Sequence, residues 1–159
     1  MGNNIKSVVV LHNIRSVYNV GAIFRTADAV GVSKIYLTGY TPTPLDRFRR
    51  ERKDVAKAAL GAQKSVQWEY FKNINTIIKE LKKENFGITA VEQSKNSVDY
   101  KTFNLKQKIA FIFGNEVRGI SKQLLEKCDK IIEIPMRGKK ESLNVSVSAG
   151  VVLFRVLDK

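Results

Sequence analysis

The stretch Lys108-Ile-Ala-Phe-Ile-Phe-Gly-Asn-Glu-Val-Arg-Gly-Ile120 settles the fold class. After its lysine come five apolar residues without the polar alternation of a strand that has one wet face. A run of that kind reads as a strand buried on both sides, the habit of parallel sheets covered by helices. It halts on Gly114, Asn115 and Glu116, a polar turn where a strand's carboxyl end meets a loop. In open α/β sheets, that end is where ligands bind.

The same alternation of strand and helix extends along the rest of the chain. Lys6–Leu11 is a continuous apolar strand; Val20, Ile23, Phe24 and Ala27 follow at helical spacing, with Gly31 as a C-terminal stop. Lys34–Leu37 reads as a second strand, and a Pro/Thr loop leads to a basic helix near Glu51–Leu60. A short strand is expected at Val66–Tyr70 and a helix over Asn73–Asn85 with Ile74, Ile77, Ile78 and Leu81 on one face. Gly87–Val91, Lys108–Phe113 and Lys130–Ile134 are strands, and Ile120–Lys127 and Val145–Leu157 helices. The reading is an α/β fold, mainly a parallel sheet flanked by helices, in one domain over residues 1–159.

Composition narrows the chemistry. Lys and Arg number 28 against 15 Asp and Glu, a net charge of +13 that favours a polyanionic partner. Arg47, Arg49, Arg50, Arg52 and Lys53 crowd into one segment and are the expected RNA-binding cluster; Phe48 among them serves either as a stacking group or as a loop anchor. Cys128 is the only cysteine and His12 the only histidine, so a disulfide within the chain, a cysteine-cluster or His-based metal site and a histidine catalytic pair are all excluded. Cys128 and His12 therefore read as structural, and a reducing cytoplasmic setting without membrane attachment follows. Met1-Gly2 suggests acylation, but Lys6 stands where that signal needs Ser or Thr. Neither a Gly-x-Gly-x-x-Gly nor a Gly-x-x-x-x-Gly-Lys-Ser/Thr pattern is present, against dinucleotide binding and nucleoside triphosphate hydrolysis.

A second polar corner follows the strand that ends Ile131-Ile-Glu-Ile-Pro-Met136. There Gly138-Lys-Lys-Glu-Ser-Leu-Asn144 runs straight into the last apolar helix. Ser142 and Asn144 are either ordinary helix caps or part of a site for a small polar ligand, since N–H groups at a helix start are unpaired. Glu92, after Thr89-Ala-Val91, supplies a third strand end.

Three segments, Asn19-Val-Gly-Ala-Ile-Phe-Arg25, Phe113-Gly-Asn-Glu-Val-Arg-Gly-Ile120 and Ile134-Pro-Met136 with Ser142-Leu-Asn144-Val-Ser, resemble the ordered motifs of the SpoU (TrmH-like) RNA 2′-O-methyltransferases, a SPOUT family. The resemblance runs from about Val8 to Leu157. It implies a deep trefoil knot at the C-terminal end and S-adenosylmethionine as cofactor. The implied cofactor contacts lie around Gly114, Ile134, Met136 and Leu143, with Val91 and Glu92 nearby and no metal. It also implies Arg25 as the key catalytic residue, assisted by Asn19, Glu116, Ser142 and Asn144. In such homodimers the arginine of one subunit faces the cofactor pocket of the other. Family accounts make this arginine a base; because a guanidinium keeps its proton to above pH ~12, holding a phosphate and stabilising a developing alkoxide is the simpler role. Arg25 reads otherwise as an exposed arginine paired with Asp28, and Glu116 as its ion-pair partner.

Methyl transfer needs alignment of oxygen, methyl carbon and sulfur plus removal of one proton, so the absence of histidine and metal ligands is compatible with it. The expected activity is ribose 2′-O-methylation of structured RNA, transfer RNA first and ribosomal RNA close behind, with no separate RNA-binding extension. The alternative is an inactive RNA-binding or assembly-factor module of the same fold. Val147, Val151 and Phe154 on the last helix mark either the dimer face or ordinary core.

Overall fold

The computed structural model describes residues 4–158; Met1 and Gly2, and with them the acylation question, lie outside the described residues. Among the described residues, seven strands, all parallel, form one sheet in the order β3-β2-β1-β6-β4-β7-β5. They are β1 (Lys6–His12), β2 (Lys34–Thr38), β3 (Gln67–Phe71), β4 (Gly87–Val91), β5 (Val98–Asp99), β6 (Lys108–Phe113) and β7 (Lys130–Glu133). The helices are α1 (Val17–Val30), α2 (Lys53–Ala59), α3 (Ala62–Ser65), α4 (Ile74–Lys83), α5 (Lys122–Glu126) and α6 (Val145–Leu157).

The continuous apolar run that opened the sequence reading has a physical counterpart. β6 lies between β1 and β4, with Val9 beside Phe111 and Ala90 beside Ile112. Its odd residues Ile109, Phe111 and Phe113 join Val9, Leu11, Ile23, Phe24 and Val152 in one core, under α1 and α6. Ala110 and Ile112 face the other way and pack with Val8, Val10, Ile77, Ile78 and Leu81 beneath α4. Both faces of the central strands are dry, so neither could carry the polar alternation of a half-exposed strand.

Two helix ends fix the geometry that matters later. α1 starts at Ser16, whose side chain accepts from Asn19 N, and stops at Gly31 (φ 84°). There Gly31 N and Val32 N both donate to Ala27 O, a left-handed stop that glycine enters without strain. Along its length Gly21 sits directly against Ala58 of α2, so that any Cβ there would collide with α2 backbone.

Four expectations need correction. The basic helix begins at Lys53 rather than Glu51, because Glu51 pairs with Leu45 in an isolated antiparallel bridge and Arg52 takes the cap position. The helix expected over Ile120–Lys127 shortens to α5, since Ser121 caps it and accepts from Leu124 N. α3 was not anticipated, and neither was β5 with the 3₁₀ turn Tyr100–Thr102 that follows it. Each has too few residues to show a period. Val66–Tyr70 shifts by one residue to β3, where Trp68 and Tyr70 occupy the outermost strand of the sheet.

Candidate functional site

A pocket of about 360 Å³ opens at the carboxyl ends of β4, β6 and β7. That volume lies within the range of small-molecule sites. Val91, Glu92 and Gln93 line it from β4, Phe113 to Gly119 from β6, and Glu133, Ile134 and Met136 from β7. Glu141, Ser142, Leu143 and Asn144 close it from the loop that leads into α6. Gly114, Ile134, Met136, Leu143, Val91 and Glu92, the expected cofactor group, all line this one cavity, as do Glu116, Ser142 and Asn144.

The β6 wall is a tight turn that holds its own shape. Asn115 is buried, donates to Asn13 O and to the Tyr40 hydroxyl (2.9 Å each) and accepts from Val117 N and Arg118 N. Gly119 N closes the turn on Asn115 O at 2.8 Å. A Cβ on Gly114 would come within 2.5 Å of Ile120 Cγ1 and 2.7 Å of Gly119 O, so glycine is required for the turn to fold back on itself. Gly119 (φ 65°) leaves room for the Glu92 carboxylate, which accepts from Ile120 N at 3.0 Å and from Gln93 N at 3.0 Å. Glu92 thus ties the β4 wall to the β6 wall.

A second set of bonds joins the pocket to α1 and α6. The Glu116 carboxylate accepts from Arg15 N and Ser16 N (2.9 Å each) and from Asn19 Nδ2 (3.1 Å). Partial burial alone would raise its proton affinity, but these N–H donors outweigh that and hold the carboxyl below the usual glutamate value. Asn19, itself buried, accepts in turn from Asn144 Nδ2 at 3.1 Å, and Asn144 caps α6 by accepting from Ser146 N and Val147 N. Glu116, Asn19 and Asn144 form one hydrogen-bonded line that connects the helix starts of α1 and α6 across the pocket. For Asn144, cap and site member are the same role. Ser142 lines the cavity as an exposed residue of the closing loop.

With this geometry described, the comparison with known proteins is specific. The SpoU rRNA Methylase family pattern matches residues 6–154. The chain belongs to this family. A Staphylococcus aureus protein assigned to the TrmH family of tRNA/rRNA methyltransferases is 34% identical over 155 residues, 98% of this chain and 60% of that protein. The chain therefore spans about three fifths of the length of that curated relative. Among solved structures, an AdoMet-bound rRNA methyltransferase from Sinorhizobium meliloti superposes with a TM-score of 0.85. It is 28% identical, over 94% of this chain and 55% of that one. An RNA 2′-O ribose methyltransferase superposes at 0.82, with 25% identity over 99% of this chain and 57% of that one.

In this SpoU chain, three motifs distant in sequence meet, but Arg25 stands apart. It is exposed on α1, two turns beyond Asn19, and does not line its own chain's pocket. The expected Glu116–Arg25 ion pair is absent among the described residues, because backbone N–H groups at the start of α1 already saturate the carboxylate. The expected Arg25–Asp28 pair is also absent among them.

The basic segment lies in the loop between β2 and α2. Arg47 and Arg50 flank the exposed Phe48 ring at 4.8 and 5.0 Å, Arg50 pairs with Asp46 at 2.9 Å and Arg52 with Asp54 at 2.8 Å. Phe48, 63% exposed, does not anchor the loop to the core. The remaining singular residues are structural. His12 Nδ1 bonds Thr38 Oγ1 at 2.8 Å and burial lowers its proton affinity. Burial first, then the Asp129 charge, pushes the Cys128 thiol up to about 11, which leaves it unreactive. Arg118, which lines the pocket, and Arg15, whose backbone N–H binds Glu116 in its wall, carry no role in the sequence reading.

Proposed function

We propose that this chain, as one catalytic domain over its length, transfers a methyl group from S-adenosylmethionine to a ribose 2′-hydroxyl of structured RNA. Transfer RNA is the first expectation and ribosomal RNA close behind, in a cytoplasmic setting where such RNA is found. The observation that carries the reading is the line Glu116–Asn19–Asn144, which draws all three family motifs to one pocket at the strand ends.

The residues present suit the cofactor. Apolar Val91, Phe113, Ile134, Met136 and Leu143 offer a bed for a purine, while carboxylates of Glu92, Glu116, Glu133 and Glu141 give the cavity a negative bias suited to a cationic ligand. When bound, S-adenosylmethionine supplies a methyl group on a sulfonium, with a neutral thioether as leaving group. The strand end at Val91–Gln93, the turn at Gly114–Gly119 and the loop at Ile134–Asn144 would hold the ligand between three backbone segments. Glu116 and Asn144 fix the two helix starts beside it, so the site need not rearrange during reaction.

Arg25 then acts on the RNA, holding a phosphate and stabilising negative charge on the 2′-oxygen as its proton passes to solvent water. Since Arg25 does not line its own pocket, the reading requires a homodimer in which Arg25 of the partner subunit faces that pocket. In support, Val147 and Phe154, 49% and 44% exposed, form with Val151 an apolar stripe on α6. The reading also includes a trefoil knot. It is supported by β7, which is inserted between β4 and the earlier β5, and by the Tyr100–Thr102 turn that packs on α6.

Incubation with methyl-labelled S-adenosylmethionine and total RNA, followed by mapping of 2′-O-methyl nucleotides, tests this. Label on ribose oxygens is the expected result. RNA binding with no transfer and no calorimetric binding of the cofactor would leave a non-enzymatic module instead.

A further inference from the structure

The pocket has a charge pattern that cofactor binding does not explain. Its inner carboxylates are occupied: Glu116 by the N–H groups of Arg15 and Ser16, Glu92 by those of Gln93 and Ile120. The segments that wall it also carry cations that make no ion pair among the described residues. Arg118 lines the cavity, and Arg15, just before α1, donates its backbone N–H to Glu116 in the cavity wall. Arg137, Lys139 and Lys140 form the tip of the loop whose two legs, Ile134–Met136 and Glu141–Asn144, wall the cavity.

All five are exposed. Among the described residues, ion pairs engage Lys34, Arg50, Arg52, Lys64 and Lys101, and none of these mouth residues. Glu133 and Glu141, the other carboxylates at the pocket, make no ion pair with them either. Between the cations stand Val117, 86% exposed, and Leu143, 39% exposed. An apolar spot flanked by unpaired cations suits a sugar and base with a phosphate on either side.

We propose that Arg15, Arg118, Arg137, Lys139 and Lys140 grip the phosphates flanking the nucleotide whose ribose enters the pocket. The proposal rests on the RNA methyltransferase reading and adds where the RNA backbone lies. A ribose hydroxyl cannot reach the cavity without bringing the phosphates bonded to its own sugar, so the mouth must accept two negative charges next to Val117. The mouth, rather than the Arg47–Lys53 segment, then sets the register of the target nucleotide.

The test is the salt dependence of binding of an unfractionated transfer-RNA pool to the full chain, with cofactor affinity measured in parallel. The variant Arg137→Gln/Lys139→Gln/Lys140→Gln is expected to flatten the slope of log affinity against log salt by about 2, at ~0.7 to 0.9 per lost contact. Cofactor affinity is expected to stay within about twofold. An unchanged slope in a variant that binds cofactor normally overturns the proposal. If cofactor affinity falls as well, Arg15→Gln decides. It keeps the backbone N–H to Glu116, and its slope must drop by ~0.8 or the proposal fails. A wild-type chain whose RNA binding ignores salt would instead sink the RNA reading itself.

Discussion

The bonds that join one pocket wall to another run between residues far apart in the chain, whereas the arginines of the basic loop pair with sequence neighbours. Glu116 reaches Arg15, Ser16 and Asn19 across about a hundred residues, and Asn144 reaches Asn19 across 125. Arg50 pairs with Asp46, four residues away, and Arg52 with Asp54, two away. Bonds of the first kind exist only when the sheet and both helices are in place, so they report and hold tertiary geometry. Bonds of the second kind shape a turn and contribute little to stability, being exposed and screened. The pocket is therefore suited to holding one ligand in one pose, and the loop to trading its carboxylate partners for those of a polyanion.

Arg25 belongs to neither region, and its removal gives the largest expected effect. Arg25→Ala should lower methyl transfer by about 10² to 10³, as loss of one transition-state contact does, while leaving cofactor affinity within a few-fold. Single-turnover rates with calorimetry on the same variant check this, and a variant defective only in cofactor affinity refutes the role given to Arg25. Arg25→Lys keeps charge but loses the planar fork, and should recover only part of the rate.

Gly114→Ala strikes the pocket wall directly. Its methyl must displace Ile120 and the Gly119 carbonyl, at a cost of about 1 to 3 kcal/mol, with cofactor affinity lost along with stability. Urea unfolding measures the first and calorimetry the second.

Glu116→Gln is subtler, because it keeps the shape of the side chain while removing its charge and replacing one accepting oxygen by an NH2 donor. About 1 kcal/mol should be lost at neutral pH, since the carboxylate sits at the positive start of α1. The sign with pH follows from the lowered proton affinity in the folded state. The carboxylate stabilises the fold at pH above its unfolded value and loses that contribution as pH falls through the folded one. The stability gap between wild type and variant should hold steady at neutral pH and close under acid. A gap independent of pH would show that charge has no part in the contact.

The smallest effect tests the loop. Arg47→Gln/Arg49→Gln should flatten the salt slope of RNA binding by ~0.7 to 0.9 per contact. Arg50→Gln/Arg52→Gln should do less, since Asp46 and Asp54 already compensate those charges. Equal effects of the two pairs would show that Asp46 and Asp54 release their arginines to RNA without measurable cost.

The same contrast explains what sequence reading could reach. The buried run Ile109–Phe113 revealed a parallel sheet because burial on two faces leaves a mark on every residue of a strand. Gly114 and Ile134 stand at the ends of such runs, whereas Leu143, after the polar stretch Gly138–Ser142, was reached through the family resemblance. Glu116 was placed at the site, yet its partner was misjudged. Opposite charge suggested Arg25, but a helix start offers a carboxylate comparable attraction and carries no letter in the sequence. β5 was overlooked because two residues have no periodicity; its pairing with β7 comes from the chain around it.

That pairing has a consequence for how the molecule is made. β5 bonds only to β7, which follows it in sequence and lies between it and β4. A nascent chain that has delivered Val98–Asp99 to solution has not yet made the strand on which these residues will rest. The span from β4 to β6 must wait as an open arch until Lys130–Glu133 emerges and slots in beneath it, and only then can α6 dock on α1. Assembly out of chain order of this kind pays a large loop-closure entropy before any contact rewards it. Pulse-labelled hydrogen exchange during refolding should find the amides of β1, β2 and β6 protected first, with β5 and the start of α6 last.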